Sequence, residues 1–431
     1  MVKKAAVYVL GCKVNQHEGE AIKDLFNNAG YKIVSFHDQA DVYVIHTCTV
    51  THLGDRKSRQ MIRRAVRQNP DAVVAVTGCY AQTSPGDILD IAGVDLVIGT
   101  KERSRIVELV EEAQKGSPIS LVGPRKELTE FEDLPFARAS TVRAFLKIQE
   151  GCQQFCTYCI VPHARGPVRS RPIAESVDAV KTLVQKGFKE VVLTGIHIGA
   201  YGQDLTGTDL NALLKQLIKV SGLKRLRVSS VDPNEVTPEL LATLTREDII
   251  CPHYHIPLQS GSDTILEAMR RPYNTAYYQR LVTEIRRHRP DAAITTDIMV
   301  GFPGETDSLF RQSLEFIRKL RFSELHVFKY SPRQGTPAAR YNNQIPPDVK
   351  EARSRQMIAL GKELWADYAG NFLGAPLAVL VEQQGDYGEG HTPNYLKVRF
   401  PGGEKMRGSF VTVVPTETLD GYLFGDPKGG A

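Results

Sequence analysis

Long apolar runs are missing from this sequence. None approaches the roughly 20 residues that a membrane-spanning helix needs, so we expect no membrane partner. We expect the N-terminus to be a first strand and not a cleavable leader, because the apolar run after Lys3 and Lys4 is only about six residues long and no small-residue cleavage site follows it. We therefore expect a cytoplasmic location. Internal repeats and low-complexity tracts are absent as well.

A strong charge of one sign is missing too. The 54 lysines and arginines exceed the 49 aspartates and glutamates by only five, and so mild an excess does not by itself indicate a nucleic-acid-binding protein. Seven cysteines are an odd number for a disulfide framework, and in a reducing compartment they favour metal or redox chemistry. The length of 431 residues predicts two or three domains.

The N-terminal region, residues 1–122, alternates short apolar runs with polar helical stretches. This alternation predicts a doubly wound parallel sheet. The apolar runs are residues 5–10, 42–45, 73–76 and 96–98. Residues 123–136 mix prolines with charges and break both periodicities, which is typical of a linker.

The rest of the chain divides into two regions. In residues 137–366, six strand-like segments are separated by helical stretches, which predicts a curved partial barrel of the (β/α)6 type. The segments are residues 142–149, 190–194, 225–230, 254–258, 293–300 and 324–330. In residues 367–431, β-rich runs separated by glycine and proline clusters predict a small all-β barrel. Those runs are residues 376–381, 396–400, 405–414 and 423–424.

Three cysteines form the compact pattern C-x3-C-x2-C directly after a predicted strand. They are Cys152, Cys156 and Cys159. Structural zinc sites and iron–sulfur clusters normally take four protein ligands, so three thiolates leave one metal coordination position open for a substrate or cofactor. The alternative is a structural zinc ion completed by His163, four residues after the last cysteine.

Three further cysteines, Cys12, Cys48 and Cys79, each follow a predicted parallel strand by a few positions. The carboxyl ends of such strands lie along one edge of the sheet, so the three loops can meet there. A small residue precedes each thiol and permits a close approach. These cysteines predict a second three-cysteine site, and the alternative is three unrelated buried cysteines. Cys251 stands alone after two isoleucines and is assigned no role.

Seven sequence blocks, in order, carry a family resemblance that covers essentially the whole chain. They read LGCKVN (10–15), TCTVT (47–51), TGCYAQ (77–82), KIQEGC (147–152), LTGIH (193–197), HIPLQSGS (255–262) and GFPGET (301–306). Together with the compact triple, they resemble the methylthiotransferase family of radical S-adenosylmethionine (SAM) enzymes. Three segments resemble the branch that acts on N6-threonylcarbamoyladenosine in tRNA. They are the LGCKVN block, the segment DRKSRQ (55–60) and the segment FSELHVFKYSPRQGTPAAR (322–340). His46 stands where the family usually has asparagine.

The resemblance implies a cofactor set. It implies two [4Fe-4S] clusters, one on each cysteine triple, with SAM on the open iron of the compact triple. SAM would supply both the radical that takes hydrogen from adenine C2 and the methyl group, and the C-terminal region would be a TRAM domain. The residues expected to contact SAM are Tyr158, Thr194, Gly195, His197 and Ser230. For each of them, an ordinary turn or loop position is the alternative.

Basic residues form three local clusters that are candidates for RNA contact. Arg56, Arg59, Arg63 and Arg67 recur at helical spacing, with Lys57 and Arg64 beside them, and a solvated helix face explains this stripe equally well. Arg165, Arg169 and Arg171, after the compact triple, are candidates for contact with RNA or with the SAM carboxylate. The C-terminal region combines basic with aromatic side chains, a combination that suits the binding of loop RNA. These residues are Lys397, Arg399, Lys405, Arg407, Tyr395 and Phe400.

The resulting hypothesis is a tRNA methylthiotransferase that adds a methylthio group to C2 of N6-threonylcarbamoyladenosine at position 37, next to the anticodon. The expected partners are the tRNA anticodon loop and a reducing electron donor such as flavodoxin or ferredoxin, while the sulfur source stays open. One alternative is a methylthiotransferase that acts on another modified adenosine or on a ribosomal-protein side chain. Another is a non-enzymatic metal-binding protein associated with RNA.

Overall fold

The fold is seen in a computed structural model that describes residues 2–135, 142–402 and 406–428. Residue 137, the predicted start of the second region, and Lys405 lie outside the described residues. Among the described residues, no helix combines the length and the apolarity that crossing a bilayer requires.

The N-terminal region forms a six-stranded parallel sheet, as predicted. Its strands are β1 (Lys4–Val9), β2 (Lys32–Ile33), β3 (Val42–Thr47), β4 (Val73–Gly78), β5 (Leu96–Ile98) and β6 (Ile119–Leu121), in the spatial order β2-β1-β3-β4-β5-β6. Its helices are α1 (Lys13–Asn28), α2 (His52–Gln68), α3 (Cys79–Thr83), α4 (Pro85–Leu89) and α5 (Ile106–Glu112). Separate apolar cores lie on the two faces, one containing Ile45 and the other Val44, because neighbouring strand residues point to opposite faces. The two edge strands were not predicted from the sequence, since runs of two or three residues carry no periodicity.

The central region forms the predicted curved sheet of six parallel strands. The six parallel strands are β7 (Ala144–Glu150), β9 (Glu190–Gly195), β10 (Arg225–Val228), β11 (His253–His255), β12 (Ala293–Val300) and β13 (Glu324–Lys329), and a seventh, short strand is β8 (Arg169–Ser170). The short β8 pairs antiparallel with β7, and the parallel series continues through β9, β10, β11, β12 and β13. A parallel bridge between Leu226 and Ile250 joins the two halves of the sheet.

Helices cover the convex face of the central sheet. They are α7 (Ile173–Gln185), α8 (Leu210–Leu217), α9 (Pro238–Arg246), α10 (Asp263–Ala268), α11 (Thr275–His288), α12 (Asp307–Leu320) and α13 (Pro347–Gly370), whereas the short α6 (Val161–Arg165) packs on α3 of the N-terminal region. Ile294, Ile298 and Val300 of β12 pack into the apolar core shared with these helices. The alternate residues Thr295 and Asp297 therefore face the concave side, where polar chemistry is possible.

The C-terminal region forms a closed five-stranded barrel, which fits the expected TRAM domain. Its strands are β14 (Leu377–Gln383), β15 (Tyr387–His391), β16 (Lys397–Pro401), β17 (Phe410–Leu419) and β18 (Tyr422–Pro427). The sequence did not reveal β15, because its segment YGEGH has no apolar run. Gly390 is required there, since a Cβ at this position would lie 2.0 Å from the backbone oxygen of Leu380.

Two candidate metal centres

The dispersed cysteines lie together at one edge of the N-terminal sheet. Cys12, Cys48 and Cys79 follow β1, β3 and β4, which are adjacent strands with parallel registers. A Cβ at Gly11, beside Cys12, would lie 3.0 Å from the Cβ of Cys48. Burial raises the pKa of the Cys79 thiol to about 12, and the thiols of Cys48 and Cys12 are close enough to add to this rise. The three loops therefore meet as the strand order predicts.

Glycine lets the thiols of this first triple approach each other. Gly11 and Gly78 have φ angles of 111° and 99°, in the region that side chains disfavour. A Cβ at Gly78 would lie 2.5 Å from the backbone oxygen of Thr47. The LGC and TGC motifs thus have a steric basis.

The compact triple lies in a loop directly after β7. Gly151, at φ 81°, begins the loop, and a Cβ there would lie 1.7 Å from the backbone oxygen of Pro167. The backbone N–H of Cys152 donates to the oxygen of Gly166 at 3.0 Å, and that of Thr157 donates to the oxygen of Met269 at 3.1 Å. These bonds tie the start and the middle of the cysteine loop to two neighbouring segments.

Neither triple has the geometry of a single-ion site. Four ligands at about 2.3 Å from zinc place their sulfurs about 4 Å apart. In residues 2–135, 142–402 and 406–428, the one set of three potential ligand atoms within 4.8 Å of one another is His197, Asp232 and Glu235. His163 instead packs edge-to-face on the ring of Phe155, with centroids 5.9 Å apart. The wider spacing of the thiols fits a multi-iron cluster better than the zinc alternative.

Buried cations contact a sulfur atom in each triple. Arg165 donates through Nε to Cys79 Sγ at 3.2 Å, and Arg271 donates through Nη1 to Cys156 Sγ at 3.2 Å. Each arginine also pairs with a carboxylate, Arg165 with Glu18 and Arg271 with Asp232. A neutral thiol is a weak acceptor, whereas a thiolate or an anionic cluster accepts a charge-assisted hydrogen bond from a guanidinium. Both centres therefore fit an anionic iron–sulfur group.

A buried charge cluster joins the first triple to the central region. Glu18 of α1 accepts from Arg165 Nη1 at 2.8 Å and lies 2.6 Å from Arg103 Nη1 and 3.3 Å from Lys147 Nζ. Burial raises the pKa of the Glu18 carboxyl, but Arg103, Arg165 and Lys147 outweigh it and hold the pKa well below its usual range. The carboxylate is therefore ionised at the contact between the two regions.

The charge balance of this cluster points to a further anion. Its four cations are Arg103, Lys147, Arg165 and Arg169, and its three carboxylates are Glu18, Glu132 and Glu150. His46, in the position that departs from the family pattern, lies 3.1 Å from Glu18, and burial lowers the pKa of its imidazole. His46 is then neutral and leaves the excess positive charge in place, and a metal-bound thiolate at Cys79, which Arg165 contacts, would offset it.

The predicted SAM contacts lie around the mouth of the curved sheet. His197 Nδ1 is 3.5 Å from Cys152 Sγ, and His197 Nε2 is 2.8 Å from Glu235. Burial alone would lower the pKa of His197, but hydrogen bonds with Asp232, Cys152 and Glu235 raise it to about 12. Thr194 is buried, and its hydroxyl has no hydrogen-bond partner among the described residues.

The other three predicted contacts have ordinary local surroundings. A Cβ at Gly195 would lie 3.0 Å from Gln149 Oε1, and the same oxygen accepts the backbone N–H of His197 at 2.7 Å. Tyr158 packs partly buried beside the compact triple, and Ser230 is half-buried after β10. Their roles toward SAM stay predictions.

Several predicted RNA contacts are wrong. Arg165, Arg169 and Arg171 are buried and bind protein groups, because α1 and the segment before residue 135 cover them. Phe400 belongs to the core of the C-terminal barrel, and Tyr395 packs against the central region rather than facing solvent.

Other basic residues remain accessible. On α2 the exposed set is Arg56, Lys57, Arg63, Arg64 and Arg67, whereas Arg59 is half-buried and donates to the Tyr80 hydroxyl at 2.8 Å. On the C-terminal barrel, Arg399 lies 3.7 Å and Lys397 5.7 Å from the ring centroid of Tyr422.

The sequence reading missed the buried ionic residues. Lys147, Gln149 and Glu150 lie in the KIQEGC block, and Asn15 lies in LGCKVN, where its amide donates to the backbone oxygens of Leu10 and Thr47. Their presence in these blocks was the signal that could have identified them. Arg271 lies outside the blocks, and nothing in the sequence indicated its contact with Cys156.

The fold and the compact cysteine loop define a radical SAM protein. Residues 146–317 match the family model of the radical SAM superfamily, and residues 4–99 match the one described as uncharacterized protein family UPF0004. Among solved structures, the radical SAM methyltransferase TsrM of Kitasatospora setae has a TM-score of 0.59 at 15% identity, over 79% of this chain and 77% of that one. The cobalamin-dependent SAM radical enzyme OxsB has a TM-score of 0.52 at 10% identity, over 85% of this chain and 56% of that one. These likenesses show the fold alone.

Curated relatives identify the family. The threonylcarbamoyladenosine tRNA methylthiotransferase MtaB of Bacillus subtilis is 46% identical, over 95% of this chain and 92% of that protein. MtaB of Aquifex aeolicus is 40% identical, over 95% of this chain and 100% of that protein. The tRNA-2-methylthio-N(6)-dimethylallyladenosine synthase of Moorella thermoacetica is 36% identical, over 99% of each chain. This chain belongs to the radical SAM methylthiotransferase family, whose cofactors are SAM and two [4Fe-4S] clusters.

Proposed function

We propose that this chain adds a methylthio group to C2 of N6-threonylcarbamoyladenosine at position 37 of tRNA. The observation that carries the proposal is the pair of cysteine triples, each with a buried arginine on one sulfur, in a chain 46% identical to a relative named for that reaction. The dispersed triple separates this chemistry from simple radical formation, because a sulfur donor needs a metal centre of its own.

The six cysteines are the proposed cluster ligands. Cys12, Cys48 and Cys79 would hold one cluster, and Cys152, Cys156 and Cys159 the other. When bound, the second cluster and SAM supply the radical that activates adenine C2. Tyr158, Thr194, Gly195, His197 and Ser230 are the residues proposed to contact SAM. His197 is held between Cys152 and two carboxylates, so it is oriented before any cofactor binds.

The remaining assignments belong to the same proposal. Residues 1–122 form the domain of the dispersed triple, 123–136 the linker, 137–366 the radical SAM domain and 367–431 the TRAM domain. A small reducing protein such as flavodoxin or ferredoxin would deliver electrons, and the protein would work in the cytoplasm, where tRNA and such donors occur together.

Mass spectrometry of tRNA nucleosides tests the reaction. A strain lacking this chain, and any paralogue, should lose 2-methylthio-N6-threonylcarbamoyladenosine and accumulate the precursor without the methylthio group. Persistence of the product would rule out the substrate assignment. Loss of 2-methylthio-N6-dimethylallyladenosine instead would transfer the assignment to the reaction named for the Moorella relative.

Iron analysis tests the cluster ligands. The anaerobically reconstituted protein should hold about eight irons per chain, as two four-iron clusters require. Cys48→Ala and Cys156→Ala should each lower the content to about four, because each disables one cluster. The matched control is Cys251→Ala, since Cys251 is also buried but lies in neither triple. An equal loss of iron in this control would contradict the assignment.

A further inference from the structure

A polar space lies on the concave side of the central sheet, where β11, β12 and β13 run side by side. His255 and Thr295 are register partners, and His255 Nδ1 lies 2.9 Å from the Thr295 hydroxyl. Asp297 and His326 are register partners on the next pair of strands, and the rings of His255 and His326 lie 5.3 Å apart. This wall offers hydrogen bonds rather than apolar contact.

The C-terminal barrel closes one end of this space. Tyr395, at φ 68°, stacks its ring on His253 with centroids 4.5 Å apart and an interplanar angle of 11°. Arg227 holds the loop before Tyr395 by donating to the backbone oxygens of Pro393 at 2.9 Å and Thr392 at 3.2 Å. The ring of Tyr395 is therefore held in place at the end of the space that the barrel closes.

Lys13 enters the same space from the N-terminal domain. It is the first residue of α1, directly after Cys12, and its Nζ lies 5.6 Å from the centroid of the Tyr395 ring. Its side chain is exposed and forms no ion pair with the described part of the chain. All three domains thus contribute to the space, and Lys13 brings a cation whose charge is not neutralised there.

Cations dominate the end of the space around Tyr395, while the carboxylate of Asp297 on the strand wall lies 3.3 Å from His255 Nε2. Burial raises the pKa of the Tyr395 phenol, but Lys13, Arg143 and Arg227 outweigh it and leave the pKa below its usual value. Burial lowers the pKa of His253, and Arg227 and Lys13 lower it further. An anion is therefore stabilised beside Lys13 and Tyr395, whereas an uncharged ligand forms no ion pair with Lys13.

We propose that this space binds the carboxylate of the threonylcarbamoyl group and that Lys13 is the residue that selects it. The inference rests on the proposed function and specifies how the site recognises its substrate. The threonine of this nucleoside is attached through its amino group, so its carboxylate is free and negatively charged. Lys13 directly follows Cys12 in the chain. When an adenine base is presented to the first triple, the substituent on its N6 atom is therefore within reach of the Lys13 ammonium group. Lys13 is a specificity residue and takes no part in the bond-making steps.

A binding experiment with two RNAs isolates the carboxylate. One is an anticodon stem-loop carrying N6-threonylcarbamoyladenosine, and the other carries the same group with its carboxylate converted to a methylamide. Binding is measured by fluorescence anisotropy on the anaerobically reconstituted holoenzyme. The wild type should prefer the carboxylate by about tenfold or more, the size of one hydrogen bond to a charged group.

Two variants of Lys13 then test its role. Lys13→Gln should bring the preference close to unity, because glutamine keeps the polarity but not the charge, while Lys13→Arg should retain most of it. The matched control is Lys23→Gln on the same helix, since Lys23 pairs with Glu20 at the surface and should leave the preference unchanged. Iron content and melting temperature should match the wild type in all variants.

Three outcomes would overturn the inference. A wild type without preference for the carboxylate is one, and an unchanged preference in Lys13→Gln is another. The third is an equal loss of affinity for both RNAs in Lys13→Gln, which would make Lys13 a phosphate contact. A different result would contradict the proposed function itself: the wild-type enzyme would form no 2-methylthio product on the RNA that carries the carboxylate.

Discussion

Replacing Glu18 tests whether the buried charge cluster fastens the N-terminal domain to the central sheet. In Glu18→Gln the volume is kept and the charge is lost, so Arg103 and Arg165 lose their shared carboxylate at 2.6 and 2.8 Å. Removing one partner from a buried ionic group costs about 3–5 kcal/mol. At about 2–4 °C per kcal/mol for a domain of this size, the first unfolding transition should fall by roughly 10 °C.

Calorimetry of the reconstituted protein measures this change, and Glu20→Gln is the control on the same helix. The Glu20–Lys23 pair is solvent-accessible, with side-chain exposures of 30% and 32%, so its loss should cost less than about 1 kcal/mol. Equal melting temperatures for the two variants would refute the reasoning.

The pH dependence of the Glu18→Gln effect has a definite sign. The pKa of Glu18 is lowered in the folded protein, so its stabilising contribution is complete above the unfolded-state pKa of about 4.3. It is lost as the pH falls below that value toward the folded-state pKa. The difference in stability between the wild type and Glu18→Gln should therefore be constant near neutrality and shrink below about pH 4. A difference that grew in acid would contradict this account.

Two further predictions concern the compact loop and the C-terminal barrel. Gly151→Ala should halve the iron content, because the new Cβ would lie 1.7 Å from a backbone oxygen of the facing loop. The control is Gly30→Ala, which has a similar φ but no atom within 4 Å of the new Cβ. It should keep its full iron content and lose only about 1–2 kcal/mol of stability. Arg227→Met should raise hydrogen exchange in residues 391–396, because it removes two bonds to backbone oxygens there, while Arg399→Met on the barrel surface should not. Unchanged iron in the first variant, or unchanged exchange in the second, would show that these contacts are dispensable.

The sequence predicted the parts of the site that depend on local pattern. Cys12, Cys48 and Cys79 could be grouped because strand order places their loops on one edge, and the compact triple could be read from spacing alone. The fate of Arg165 could not be predicted, because whether an arginine after a cysteine loop faces solvent or protein depends on how the domains dock. Tyr395 was misread for the same reason, since only the docked barrel places its ring against His253.

Arg165 links the two proposed clusters physically. It follows the compact triple by six residues, yet it donates to Cys79 of the other triple and to Glu18 of α1. The relative position of the two centres is therefore set by a buried network and not by the linker at residues 123–136. A fixed separation of the two centres does not by itself distinguish one modified adenosine from another, so we expect that discrimination to come from side chains around the substrate. Lys13, beside Cys12 and facing the concave sheet, is the cation placed to do this.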